Sequence, residues 1–423
     1  MIAKCIINFD CNSMLYHSII FIITLSTTMA QHSDSFLFKE ILQNLNPEFH
    51  EIISAPKRYK LQIIYTQVNR NTQNIPELKT HSYMYRPGEY FYPASTVKLP
   101  IAAIALEKLN SIENVDMHSH LNILSDMPGI ESVLVDKTSK TGIPTIAHYV
   151  HKLFVVSDND ASNRLFDFLG LEYLNQRLWD LGYTGARIRH RYDNSLNGKQ
   201  NHYSSAFRFF DGTDLIYKQP SKNTSIDLDI NYDNHLVGKS YLENGNRIEQ
   251  PFDFSRKNFM NLMEQHNFLI QIMFPELVSD DKRLNLTYDD YNFLYQKMSL
   301  LPRESKYPVY SDDQYYDSYG KFFLFGDTRN RIPDHIQIFN KVGFAYGFML
   351  DNAYIIDVNN GLEFFLSAVI YVNQNDTLND NIYEYDEISI PFLSDLGRVI
   401  YTYELNRTKN IKPDLTRLNL DSN

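Results

Sequence analysis

Tyr92-Pro93-Ala94-Ser95-Thr96-Val97-Lys98 runs directly into Leu99, Ile101, Ala102, Ile104, Ala105, Leu106 and Leu109, whose apolar spacing predicts a helix. On a helix that begins here, Ser95 and Lys98 lie one turn apart on one face. The Ser95 hydroxyl is then near the helix N-terminus, where free N–H groups and the dipole favour developing negative charge. A serine becomes a strong nucleophile when a base takes its proton, and a desolvated, neutral lysine can be that base. Pro100 falls within about the first turn, where a missing N–H does least harm. The Ser-x-x-Lys pattern alone decides nothing, since it recurs at Ser54-Ala55-Pro56-Lys57 and at Ser318-Tyr319-Gly320-Lys321. What sets Ser95 apart is its company further along the chain.

The 423 residues are enough for one large domain with an ample core. With 40 basic against 51 acidic residues, the net charge is −11, and no basic stripe is concentrated anywhere, which argues against nucleic acid as a partner. Thirty Tyr and 27 Phe suit a globular protein rather than a disordered one. Both cysteines, Cys5 and Cys11, precede the apolar run Ile19-Ile20-Phe21-Ile22-Ile23-Thr24-Leu25 and the small-residue end Thr28-Met29-Ala30. This is the pattern of an export signal cleaved after Ala30, behind an upstream extension of residues 1–13. The run is shorter than the roughly 20 residues that span a bilayer, so no membrane anchor is expected after cleavage. The mature chain then has no Cys, and with it no disulfide, no thiol catalysis and no Cys-based metal site.

Around the Ser95 stretch, residues 36–53 read as helical with a break at Pro47, residues 61–68 as a strand, and Ser82–Tyr85 as its partner. A helix from Thr145 to Phe154 runs into Ser157-Asp158-Asn159, and two more follow around Leu165–Leu169 and Leu174–Leu181. The polar segment Arg191-Tyr192-Asp193-Asn194-Ser195-Leu196-Asn197-Gly198 is irregular. Residues 199–335 are the least readable, with helices predicted at about 255–273 (Ser255 as cap) and 288–301 (Thr287 as cap). The last stretch turns to strands: Ile336–Phe344 contains Lys341-Val342-Gly343, and Phe348–Ile356 and Leu362–Val372 flank the hairpin signal Asn359-Asn360-Gly361. A final amphipathic helix covers about Pro391–Glu404. Strands at both ends with helices between predict an α/β (α+β) fold, an antiparallel sheet of N- and C-terminal strands flanked by helices, with an inserted all-helical lobe.

Ser95-x-x-Lys98, Ser157-Asp158-Asn159 and Lys341-Val342-Gly343 occur in this order, and so the chain resembles the penicillin-recognising serine hydrolases. Within them it is most similar to the class A β-lactamases, whose Ω loop reads Arg-x-Glu-x-x-Leu-Asn. Here Arg191, Leu196 and Asn197 match, and Asp193 stands where Glu is usual. The resemblance runs from about residue 36 to about 404, interrupted by the extra length in 199–335.

The resemblance implies one β-lactamase-like catalytic domain over residues 31–423, periplasmic or secreted, monomeric and without a cofactor or metal. Its substrate is then a small-molecule β-lactam or a peptidoglycan peptide. Ser95 is implied as the acylated nucleophile, and Lys98 as a group that helps deprotonate it. Ser157 relays a proton to the departing nitrogen. Asn159 binds the substrate's side-chain amide, and Lys341, on the strand with Gly343, holds its carboxylate. The backbone N–H groups of Ser95 and Phe344 form the oxyanion hole, and Asp193 with Asn197 holds the deacylating water. Two departures bear on this. Val342 lacks the hydroxyl usual beside Lys341, a loss worth about 1–3 kcal/mol of carboxylate binding. Asp193 is one methylene shorter than Glu, and a carboxylate misplaced by about 1 Å can cost on the order of a hundredfold in rate. A D,D-peptidase, and a non-catalytic receptor for cell-wall fragments, therefore stay open beside a β-lactamase.

Four further readings are of structural roles. Lys140-Thr141-Gly142 precedes Ser157 and reads as a loop. His118-Ser119-His120 lacks a further ligand at metal spacing. Asp158 reads as a turn-holding residue, and Arg191 as a clasp for its loop, with Asp211 as a partner.

Overall fold

In the computed structural model, which describes residues 35–192, 196 and 198–418, the chain opens with helices α1 (Ser35–Leu42) and α2 (His50–Ser54), separated at Pro47 by a 3-10 turn. Strands β1 (Gln62–Arg70) and β2 (Pro76–Tyr83) follow, then helix α3 (Lys98–Leu109). β2 starts earlier than its sequence suggests, because pairing continues from Ile63–Tyr83 to Arg70–Pro76 whatever the side chains. Next come β3 (His120–Leu124), α4 (Ile146–Val155), α5 (Asn159–Leu169) and α6 (Leu171–Asp180). Beyond these lie β4 (Ala206–Asp211), β5 (Asp214–Gln219), α7 (Leu262–Met273) and α8 (Tyr288–Ser299). The chain closes with β6 (Ile336–Ala345), β7 (Phe348–Asp357), β8 (Leu362–Tyr371) and α9 (Ile390–Asn406).

The central sheet has the antiparallel order β6-β7-β8-β1-β2, so strands from both ends of the chain form one sheet, as predicted. Every residue of β7 and β8 is buried, because helices cover both faces of the sheet. On one face α1, α2 and α9 bring Phe38, Ile52, Phe392 and Leu396 onto Ile63, Ile355 and Phe364. On the other, α7 and α8 bring Phe274 and Tyr295 onto Phe339, Tyr354 and Phe365. The buried His266 of α7 is within hydrogen-bond distance of Thr66 Oγ1 (2.8 Å) and Ser367 Oγ (2.7 Å), which ties the helix to β1 and β8. Helix α8 starts at Thr287 in a capping box with Asp290, as its sequence indicates. Helix α7 is capped by Asn261 rather than Ser255, since the Asn261 side chain accepts from the Glu264 N–H at 2.9 Å.

The helical lobe of α3–α6 differs from the expected all-helical insertion. An antiparallel sheet of order β3-β4-β5 lies on it. Phe207 and Phe209 of β4 alternate inward with Leu121 and Ile123 of β3, all fully buried, and Phe168 of α5 packs on both phenylalanines.

The 199–335 segment is not a separate appendage, because its α7 and α8 form one face of the main core. Its Tyr232, Phe254 and Phe259 join Tyr90, Phe91 and Tyr92 in an aromatic cluster directly before Ser95. The proposed export signal lies outside the described residues. Among the described residues no helix is long and apolar enough to cross a membrane.

Candidate active site

Ser95 sits in a 3-10 turn, Ala94–Val97, and Lys98 is the first residue of α3. The two still face one another's side of the chain, since positions three apart eclipse on a 3-10 turn. Ala94, immediately before the nucleophile, has φ +46°, a left-handed conformation rare for a residue with a Cβ and worth about 1–3 kcal/mol of strain.

Edge strand β6 passes against this turn. A Cβ on Gly343 would lie 2.7 Å from the Ser95 nitrogen and 2.9 Å from both Pro93 O and Thr96 N, so only glycine allows the approach. Phe344 follows at the cleft rim, half exposed. The backbone of Ser95 and the Gly343-Phe344 segment are thereby brought side by side.

Lys98 is fully buried. Its ammonium donates to Ser157 O (2.5 Å) and Asn159 Oδ1 (2.6 Å) and lies 3.3 Å from Ser157 Oγ. The Tyr192 ring faces it at 4.6 Å. Burial, and then the like charge of Lys341, hold the Lys98 pKa well below that of a free lysine, against a smaller opposing pull from Asp158.

Lys341, also buried, donates to Ser157 Oγ and Val342 O, both at 2.8 Å. Its pKa falls to about 7, chiefly through desolvation, with Asp351 opposing and Lys321 adding to the fall. The Ser157 hydroxyl thus stands between two lysines. Ser157 itself has φ +58°, which turns the chain sharply between α4 and α5.

Together these groups line a cleft of about 270 Å³ that contains Ser95, Ser157, Asn159, Lys341, Val342, Gly343 and Phe344, with Asn340 and Tyr319 on its wall. A larger cavity, about 580 Å³, lies between the end of α3 and α8. Two of its three carboxylates serve local structure: Asp116 accepts from His118 N and Asp290 caps α8. Chemistry, not size, therefore marks the smaller cleft.

Seven of the sequence-predicted site residues (Ser95, Lys98, Ser157, Asn159, Lys341, Gly343 and Phe344) meet at this cleft, and Asp193 and Asn197 lie outside the described residues. Asp158 holds its turn as expected, capping α5 by accepting from Ala161 N at 2.8 Å. Arg191 does clasp its segment, but its partner is Asp167 of α5 (2.6 Å), not Asp211. It also donates to Gln200 O (2.7 Å) and Tyr203 O (2.8 Å), contacts that only the tertiary fold creates. Sequence reasoning passed over Tyr192, which donates to Ala94 O at 2.5 Å while its ring covers Lys98. Its position inside the Arg-x-Asp motif was the available signal.

Lys140-Thr141-Gly142 lies in a loop closed by Asp136 N donating to Gly142 O. His120 stacks on Phe210, and His118 meets Phe293 edge-on. Lys57 is exposed, whereas Lys321 is buried behind β6.

Residues 49–227 match the family model described as the beta-lactamase enzyme family. No curated protein matches the sequence. Among solved structures, the chain is similar to a beta lactamase from Xanthomonas campestris at 14% identity and TM-score 0.45, over 86% of this chain and 94% of the other. It is also similar to a class A beta-lactamase from Mycobacterium abscessus at 13% identity and TM-score 0.46, over 84% and 98%. A beta-lactamase from Streptomyces albus G gives 12% identity and TM-score 0.45, over 85% and 99%. At this cleft a serine, two lysines whose pKa values burial lowers, and a hydroxyl between those lysines come together. Such a set suits nucleophilic acyl transfer.

Proposed function

We propose that the chain is a serine β-lactamase of class A type, exported and monomeric, which opens the lactam ring through a Ser95 acyl-enzyme. Ser95 Oγ attacks the lactam carbonyl, and neutral Lys98 accepts its proton. The oxyanion is held by the N–H groups of Ser95 and Phe344, the pair implied by the family resemblance. As the C–N bond breaks, Ser157 gives its proton to the nitrogen and is resupplied from Lys98, 3.3 Å away. Lys341 holds the substrate carboxylate. Asn159 accepts from Lys98 through Oδ1, which leaves its amide N–H₂ for the substrate's side chain. Asp193 and Asn197 are assigned the water that hydrolyses the ester.

The observation that carries this reading is the Ser157 hydroxyl held 2.8 Å from Lys341 and 3.3 Å from Lys98, in the cleft that Ser95 also lines. Turnover of a chromogenic cephalosporin by the mature protein, abolished in Ser95→Ala, tests it. A protein that never turns the cephalosporin over sinks it.

Val342 favours a second reading, a peptidoglycan D,D-peptidase, because the residue after Lys341 on the strand lining the cleft carries no hydroxyl. Release of D-Ala from a muropeptide, with a bound penicillin lost only slowly, selects that reading.

A further inference from the structure

Tyr192 has no part in the chemistry above, yet it stands against both ends of the turn that carries Ser95 and Lys98. Its hydroxyl donates to Ala94 O, the carbonyl directly before Ser95, at 2.5 Å, and its ring faces the Lys98 ammonium at 4.6 Å. Three contacts fix where it stands. The Tyr192 N–H donates to Asn163 Oδ1 of α5 at 2.7 Å, and Arg191 before it is clasped by Asp167 of the same helix. The His190 ring meets the Tyr192 ring edge-on while stacking on Tyr92.

The bond to Ala94 governs more than one atom. A peptide unit is planar and trans, so the Ala94 carbonyl and the Ser95 N–H share a plane and point in opposite directions. Holding the oxygen therefore sets where the Ser95 N–H points. Among the described residues no hydrogen bond of the turn or of β6 takes that N–H, and the Gly343 backbone passes close to its nitrogen. A donor on the carbonyl also polarises the peptide, which makes the N–H at its other end a stronger donor. The plane needs holding, because Ala94 is at φ +46°. A residue with a Cβ is strained there and persists only where its surroundings over-determine it.

We propose that Tyr192 is a positioning residue for acylation, whose hydroxyl holds the Ala94–Ser95 peptide so that the Ser95 N–H faces the cleft as an oxyanion donor. Tyr192 makes and breaks no bond of the reaction; it acts through Ala94. Because it directly precedes Asp193, the segment assigned the deacylating water then also prepares the acylation step. The inference rests on the Ser95 acyl-transfer reading for its kinetic consequence, but not for its effect on the Ala94 backbone.

Tyr192→Phe keeps the ring over Lys98 and removes only the hydroxyl. The limiting rate of acylation by a penicillin falls about tenfold, less than the hundredfold or more that follows complete loss of an oxyanion donor. The penicillin concentration at half-saturation and the acid limb of the pH profile stay where they are, since Lys341, Asn159 and the ring beside Lys98 are untouched. The methyl ester of the same penicillin slows by the same factor. Ala94→Gly then separates positioning from stability. Glycine holds a positive φ without strain, so in the Tyr192→Phe background it restores most of the lost rate.

A Tyr192→Phe rate equal to wild type, or a loss that Ala94→Gly does not restore, overturns the proposal. So does an acid limb that moves, which would mean that Tyr192 acts through Lys98. The backbone is read without catalysis in the whole chain labelled with ¹³C-alanine. The Ala94 Cα and Cβ resonances, assigned by their absence from Ala94→Gly, leave their left-handed values in Tyr192→Phe, and resonances that stay in place overturn the role of the hydroxyl. If wild type is acylated by neither acid nor ester, the acyl-transfer reading fails, and these resonances still decide whether Tyr192 holds the peptide.

Discussion

Gly343 and Ser95 meet backbone to backbone: a methyl group on Gly343 would stand 2.7 Å from the Ser95 nitrogen. Because the other close atoms, Pro93 O and Thr96 N, are also main chain, no side chain can swing aside to make room. Gly343→Ala must therefore push β6 and the Ser95 turn apart. Overpacking of this kind costs about 1–3 kcal/mol of stability. If the Ser95 and Phe344 N–H groups form the oxyanion hole, acylation falls by about a hundredfold or more as well. Acylation by a penicillin, followed by mass spectrometry, together with a urea melt, checks both.

Lys98 and Lys341 pull the pH profile in opposite directions. Burial and the Lys341 charge keep Lys98 well below the usual lysine range, which favours its neutral, proton-accepting form. As pH falls through that lowered pKa, Lys98 charges and acylation drops. As pH rises through about 7, Lys341 discharges, and the hold on a substrate carboxylate assigned to it in the proposed mechanism weakens. Stopped-flow acylation by a penicillin follows a bell, and by its methyl ester only the acid limb. Lys98→Arg, always charged, loses about 10²–10⁴ in acylation rate.

Ser157 bridges the two lysines through one oxygen, and in the proposed mechanism its hydroxyl is the route from Lys98 to the lactam nitrogen. Ser157→Ala keeps the backbone contact from Lys98 to the residue 157 carbonyl and loses the relay together with the hydrogen bond from Lys341. Acylation by a penicillin slows about 10²-fold or more, with the melting temperature little changed. An unchanged acylation rate removes Ser157 from the proton path.

The parts of this site that could be read from sequence are those whose signal is local. Thr287 caps its helix, Asn359-Asn360-Gly361 turns its hairpin with Gly361 at φ +60°, and Ser157-Asp158-Asn159 falls at a sharp helix–helix joint. Each motif places its own side chains, whatever surrounds it. The strand Ala206–Asp211 was missed because its inward alternation is only two phenylalanines long. Asp167 was missed as the partner of Arg191 because α5 meets that segment only in the folded chain. Asp351 reads in sequence as a polar residue, beside Asn352, in a largely apolar strand. Its meaning depends on Asn340 and Lys321, brought to it by register and by a turn.

Arg191 and Asp167 are both nearly fully buried, with the guanidinium serving one carboxylate and two carbonyls. Arg191→Ala leaves the Asp167 charge buried without its cation and costs about 3–5 kcal/mol. Arg191→Lys restores the charge but not the fork that reaches three acceptors, so it recovers only part of the loss. Urea denaturation of the three proteins ranks them wild type, Lys, Ala.

Asp193 decides whether the proposed acyl-enzyme is a brief intermediate or a resting state. A carboxylate one methylene short of the family's glutamate, if uncompensated, leaves the hydrolytic water about 1 Å from its best position, which can cost on the order of a hundredfold in deacylation. Acylation does not depend on that reach if Lys98 takes the Ser95 proton. With a penicillin and a cephalosporin sampled from seconds to hours, a Ser95 adduct should build up in the wild-type chain and clear about a hundredfold faster in Asp193→Glu. An adduct that clears within seconds in both proteins means that Asp193 already reaches its water. The short acid is then no obstacle, and the D,D-peptidase reading loses one of the two residues that favour it. No adduct in either protein removes Ser95 as the nucleophile.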